Sequence, residues 1–143
     1  MRYIYPVELS RDADGQFVAS CRDVPEALTE GESEKSALYE MGDALGAALA
    51  GYSLANRALP VPSKPGAGEY LVPVNALVAA KLALRSAMQE QGISNVRLAD
   101  KLGVSESAVR RLVNPDHLSR LDGVVAALLV LGRRLVVEDQ AAA

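Results

Sequence analysis

The stretch that most constrains this chain is Ser94 to Val113, SNVRLADKLGVSESAVRRLV, which reads as two short helices joined by a tight turn. Leu98, Ala99 and Leu102 form an apolar cluster at helical spacing. Gly103 supplies the turn, Val104 is expected to plug back into the core, and Ser105 opens a second helix carrying Ala108, Val109 and Leu112. Two helices meet steeply through so short a turn only if the crossing point is small and the turn tolerates positive φ, needs that Ala99 and Gly103 meet. The second helix then projects Ser105, Glu106, Ser107, Arg110, Arg111 and Asn114 outward. With Arg97 and Lys101 these are the candidate DNA-binding residues, since they include good donors to phosphates and base edges. Any helical hairpin shows alanine, glycine and periodic leucines, so the pattern alone leaves a purely structural hairpin open.

A chain of 143 residues, half of them hydrophobic, can build a core as one domain or two very small ones. No apolar run reaches the roughly 18 residues of a membrane helix, and MRYIYPVEL at the start lacks a signal-peptide segment, so no membrane partner and a cytoplasmic location are expected. The single cysteine, Cys21, excludes an intramolecular disulfide. Cys21 and His117 are too few for a structural zinc site, and no metal or other cofactor is expected. The net charge of −3 is unevenly spread: residues 1–74 carry 6 basic and 11 acidic side chains, net −5, and residues 75–143 carry 9 and 7, net +2. That split suggests one half facing phosphate and another facing a basic partner, although solvated surfaces produce imbalances of this size too.

Along the chain, Tyr3, Tyr5, Val7 and Leu9 alternate with Ile4, Pro6 and Glu8 as in a strand, and Pro6 points to a sheet edge. Arg11 to Gly15 is turn chemistry, Phe17 to Cys21 the returning strand, and Ala27 to Thr29 a short third strand. Ser33 is placed as the N-cap of a helix running to about Ala55, its apolar stripe (Ala37, Leu38, Met41, Ala44, Leu45, Ala48, Leu49, Tyr52) covering the sheet. Gly42, Gly46 and Ala50 give that helix a flat side for close packing. Residues 59–68, LPVPSKPGAG, form a loop, and Glu69 to Val74 a further strand, making a β-β-β-α-β unit over 1–74. A helix follows over about Asn75 to Gln91, with Lys81, Arg85 and Gln89 on its polar face and Gly92 ending it. The last helix, Leu121 to Leu131, is more apolar than a small monomeric domain needs, and the β-branched run Leu135 to Val137 has no obvious partner within a helical domain. A homodimer would bury both, and a homotetramer through the N-terminal domains is the alternative.

The strings MRYIYPVELSRDADGQFVASCRDVPEALTEGES, LPVPSKP and VPVNALVAAKLALRSAMQEQGISNVRLADKLGVSESAVRRLVN together resemble the HicB-type antitoxins of HicAB toxin–antitoxin systems, in the subgroup with a helix-turn-helix tail. Residues Asp23 to Ser33 are the most specific part. The resemblance covers nearly the whole chain and implies an α+β protein. Its residues 1–74 would be a degenerate ribonuclease-H-like domain that binds a HicA-type toxin, a small basic ribonuclease that cleaves messenger RNA. Residues 75–143 would be an all-α helix-turn-helix domain for dimerisation and for binding the double-stranded operator DNA of its own operon. Tyr3, Tyr5, Glu26 and Tyr39 are the toxin-binding candidates, chosen on polarity and aromatic content. In one respect the chain departs from the usual pattern: Ser36 stands where a capping-box glutamate is expected, which predicts a slightly weaker helix start.

No catalytic residue is assigned and the chain is not expected to be an enzyme. Two-metal phosphodiester chemistry needs converging carboxylates, whereas Asp12 and Asp14 lie in a turn and Asp43 on the polar side of a helix. No histidine precedes His117, which beside Asp116 reads as a solvated loop residue. The competing function class is a stand-alone repressor whose N-terminal domain senses a small molecule.

Overall fold

The structure is a computed structural model that describes residues 1–142. Its backbone contacts divide into two units, Met1–Ala76 and Leu77–Gln140, each with its own core. No helix among the described residues is long and apolar enough to cross a membrane.

In the first unit, β1 (Ile4–Arg11), β2 (Phe17–Ser20), β3 (Leu28–Gly31) and β4 (Tyr70–Pro73) form one antiparallel sheet in the order β3-β2-β1-β4, with α1 (Glu34–Leu54) across one face. The α+β class is therefore as expected. Alternation decides what the sheet buries: Tyr5, Val7, Ala19 and Val72 on the strands and Ala37, Met41, Leu45 and Leu49 on α1 are all at most 6% exposed. Pro6 stands in a strand interior to the sheet order, but at a stretch where only one side of that strand is paired. β1 is an interior strand, paired with β4 over Ile4–Val7 and with β2 over Glu8–Arg11. Val74 N–H donates to the Tyr3 carbonyl at 2.9 Å, and the register Ile4↔Pro73, Pro6↔Leu71 then puts both prolines at pairs where the alternation requires no N–H toward the partner.

The start of α1 also differs from expectation. Ser33 Oγ accepts from the Ser36 N–H at 3.1 Å, and Ser36 Oγ accepts from the Ser33 N–H at 3.2 Å, so a serine completes the capping box in place of glutamate. Gly42 makes a close approach as its spacing implied: a Cβ there would lie 3.0 Å from the Pro73 carbonyl, and Asn75 N–H donates to the Gly42 carbonyl.

In the second unit, α2 (Ala76–Gln91), α3 (Asn95–Leu102), α4 (Glu106–Val113) and α5 (Leu121–Val130) surround a core of Leu84, Leu98, Val109, Val124, Ala127 and Leu128, each at most 2% exposed. The local signals are glycines at positive φ after α2 (Gly92) and α3 (Gly103) and serine N-caps on α3 (Ser94) and α4 (Ser105). Val104 does not plug the core: it is 45% exposed, and Val113, 6% exposed, packs inside instead. Leu135 packs against this core while Val136 and Val137 stay outside it.

Candidate functional site

α3 and α4 are joined by the three residues Gly103–Ser105, with Gly103 in the left-handed region at φ 68°. Leu98 and Ala99 on α3 and Val109 and Val113 on α4 are buried, which fixes the opposite faces outward. Arg97, Lys101, Ser105, Glu106, Ser107, Arg110, Arg111 and Asn114 are all exposed. Glu106 and Arg110 form an i,i+4 pair at 3.8 Å that is open to solvent, so an external anion competes with it at little cost.

The end of α4 is built by residues that the periodicity of α2 placed on a polar face. Lys81 is fully buried, and its Nζ donates to the carbonyls of Arg111 (3.0 Å), Asn114 (2.9 Å) and His117 and to Ser119 Oγ (2.8 Å). One turn on, Arg85 Nη1 donates to the Val113 carbonyl at 3.1 Å. Burial holds the pKa of both cations below the usual values for their types. The one sequence signal for a buried lysine was its position between Ala80 and Leu82 in LVAAKLAL, both of which are themselves buried.

In the first unit, the segment Asp23 to Ser33 is specific because its side chains hold other elements in place. Asp23 accepts from the Ser63 N–H (2.8 Å) and Oγ–H (2.6 Å), pinning the proline-rich loop, and Arg22 reaches both the Lys64 carbonyl and the Glu69 carboxylate. Glu26 accepts from the Tyr52 hydroxyl at 2.8 Å, a bond that lowers the carboxyl pKa and raises that of the phenol. Thr29 Oγ1 donates to the Ala37 carbonyl at 3.0 Å.

Of the four residues proposed from aromatic and polar character, Tyr39 is 78% exposed and Glu26 exposed, while Tyr3 is half-buried. Tyr5 is a correction. It is fully buried, its hydroxyl donates to the Pro60 carbonyl at 2.6 Å, and burial raises its pKa, so it belongs to the core and not to a contact surface. Asp12 is a turn residue, its Oδ1 accepting from the N–H groups of Asp14 and Gln16 at 2.9 Å. Asp43 accepts from Asn75 Nδ2, and no group of three His, Cys, Asp or Glu among the described residues is placed to hold a metal ion.

Residues 4–83 match the family model described as "HicB_like antitoxin of bacterial toxin-antitoxin system". The chain is 34% identical over 131 residues to Antitoxin HicB of Escherichia coli (strain K12), covering 92% of this chain and 95% of that one. It is 37% identical over 131 residues to Antitoxin HicB 2 of Photorhabdus laumondii, covering 92% of each. With Antitoxin HicB of Pseudomonas fluorescens (strain Pf0-1) it shares 34% identity over 142 residues, 96% of this chain and 94% of the relative. A β-β-β-α-β unit followed by a helical unit, matched over residues 4–83 by the family model and over nine-tenths of its length by these relatives, makes this chain a member of the HicB family of bacterial toxin–antitoxin antitoxins.

Proposed function

We propose that this protein neutralises a small basic HicA-type ribonuclease through its first unit and represses its own operon by binding operator DNA through α3 and α4, read as a helix-turn-helix. The observation that carries the operator half is the common exposure of the eight candidate residues on α3, the turn and α4, with Arg110 and Arg111 on the outer side of the second helix. Serine hydroxyls at the start of a major-groove helix and arginine forks on its outer side suit both phosphate and base-edge contacts, and here Ser105 and Ser107 open α4 while Arg110 and Arg111 lie in its last turn. The toxin half rests on family membership and on the −5 charge of residues 1–74, since complementary charge speeds encounter with a basic partner. Tyr39 and Glu26 are the exposed contacts we assign to it, with Tyr3 at the margin. Catalysis forms no part of this reading.

Co-expression with the small basic protein encoded beside it is expected to restore growth and to yield a complex that survives purification. Continued toxicity with no complex would remove the antitoxin half.

A homodimer is part of the same reading. Leu121, Leu129 and Val130 on α5 and Val136 and Val137 beyond it are between 38% and 86% exposed, an apolar series that water disfavours. Replacing Leu129 and Val130 together by aspartate is expected to halve the mass in solution at micromolar concentration, read by light scattering behind gel filtration. An unchanged mass would place the interface elsewhere.

A further inference from the structure

We infer that Lys81 is a positioning residue for operator recognition: its buried ammonium holds the end of α4 and the turn behind it in the arrangement that presents Arg110, Arg111 and Asn114 together. The inference rests on the operator-binding reading.

The need for such a residue follows from the shape of α4. A helix of eight residues is too short to be stable alone, and its last carbonyls have no partners within the helix. Many helices close this end with a glycine in the left-handed region. α4 instead runs into Asn114 at φ −79° and ψ 113°, an extended conformation; the Asn114 N–H closes on the Arg110 carbonyl at 3.1 Å, and the carbonyls beyond it need bonds from outside the helix. They come from α2. Lys81 reaches the Arg111 carbonyl inside the last turn, the Asn114 carbonyl at the cap, and the His117 carbonyl and Ser119 hydroxyl beyond it; Ser119 Oγ also donates back to the Arg111 carbonyl at 3.2 Å. Four oxygens therefore surround three N–H bonds, and the segment 111–119 is folded around one cation. A positive charge at a helix C-terminus also complements the helix dipole. Being fully buried, Lys81 has no path to a phosphate and acts only through what it holds.

The test uses the full chain, the Lys81→Met variant, and two duplexes of equal length, one carrying the operon's promoter region and one with that sequence scrambled. Binding is measured by fluorescence anisotropy at several salt concentrations, at a temperature where far-ultraviolet circular dichroism shows each protein folded. Lys81→Met is expected to lose at least about tenfold in promoter affinity while scrambled-duplex affinity stays within about twofold, because sequence readout needs exact placement and phosphate attraction does not. Its salt slope on the scrambled duplex is expected to match the wild type, as no phosphate contact is removed. Backbone amide resonances of residues 110–119 are expected to shift or broaden while those of α3 stay in place. Promoter affinity unchanged within about twofold in folded Lys81→Met would overturn the inference. So would a slope reduced by about one on both duplexes, which would make Lys81 a phosphate contact. If Lys81→Met does not fold, Ser119→Ala decides: a selective loss of about threefold on the promoter supports the inference, and an unchanged preference overturns it. A wild-type chain with no preference for the promoter would remove the operator reading itself, and the inference with it.

Discussion

Gly31→Ala is expected to destabilise the first unit by about 2–3 kcal/mol, more than replacement of most surface residues, although Gly31 lies at the end of a strand and its φ is not positive. The cause is distance. A Cβ built on Gly31 would stand 2.4 Å from Ser36 Oγ and 2.7 Å from the Ala37 nitrogen, far inside contact. The serine hydroxyl could rotate away, but it is half of the capping box and its departure exposes the Ser33 N–H. The Ala37 nitrogen cannot rotate: it is helix backbone bonded to the Ser33 carbonyl at 3.1 Å. Either α1 lifts from β3 or β3 leaves β2. The measurement is convenient because all five tyrosines and the one phenylalanine lie before residue 71, so tyrosine fluorescence in a urea titration follows the first unit. Gly51→Ala is the internal control. It lies exposed in α1 with no atom within 4 Å of its would-be Cβ, and helix propensity predicts a gain of about 0.5–1 kcal/mol. Equal effects of the two substitutions would show that the close approach of β3 to α1 is not what Gly31 serves.

The second large effect is on DNA. Arg110→Ala combined with Arg111→Ala is expected to weaken promoter binding by about 2–4 kcal/mol, roughly 30- to 1000-fold, with little change in helix content followed by circular dichroism through a urea titration, since both side chains are exposed. The single variants separate two kinds of contact. Loss of a base-edge contact costs about 1–3 kcal/mol on the promoter and relaxes specificity. Loss of a phosphate contact weakens promoter and scrambled duplex alike and lowers the salt slope by about one. Arg110→Ala also frees Glu106 of its i,i+4 partner, so Glu106→Gln serves as the control for a simple change in local charge. Full promoter affinity in the double variant would mean that another surface meets DNA.

How much of this was legible beforehand depended on the range of the interaction. The serines Ser33 and Ser105 that open helices and the terminating glycines Gly92 and Gly103 act within a few residues of themselves, and they were readable from spacing. The strand alternation around Tyr5 and Val7 and the apolar run of α1 were readable for the same reason, but not which side of β1 faces inward, and Leu38, Ala44 and Ala48 of the α1 stripe are only half-buried. The charge split between the halves and the outward face of α4 followed from composition and helical period alone.

What only the tertiary structure decided involves partners far along the chain. Pro6 is tolerated in β1 because its register with Leu71 turns its nitrogen away from β4, toward the side on which β2 pairs only from Glu8 onward, and that register is set by a strand more than sixty residues away. Tyr5 is removed from any contact surface by a hydrogen bond to Pro60. Val104 stays outside at 45% exposed, whereas Val113, from the end of α4, is part of the core. Lys81 is the clearest case. From sequence it is one of three cationic or polar residues spaced as on a solvated helix face, and only the packing of α2 against the open carbonyl end of α4 turns it into a buried clamp. Periodicity by itself determined which faces of the helices are apolar. Which polar group is buried was decided by where unpaired backbone oxygens come to lie, and that is a property of the assembled fold.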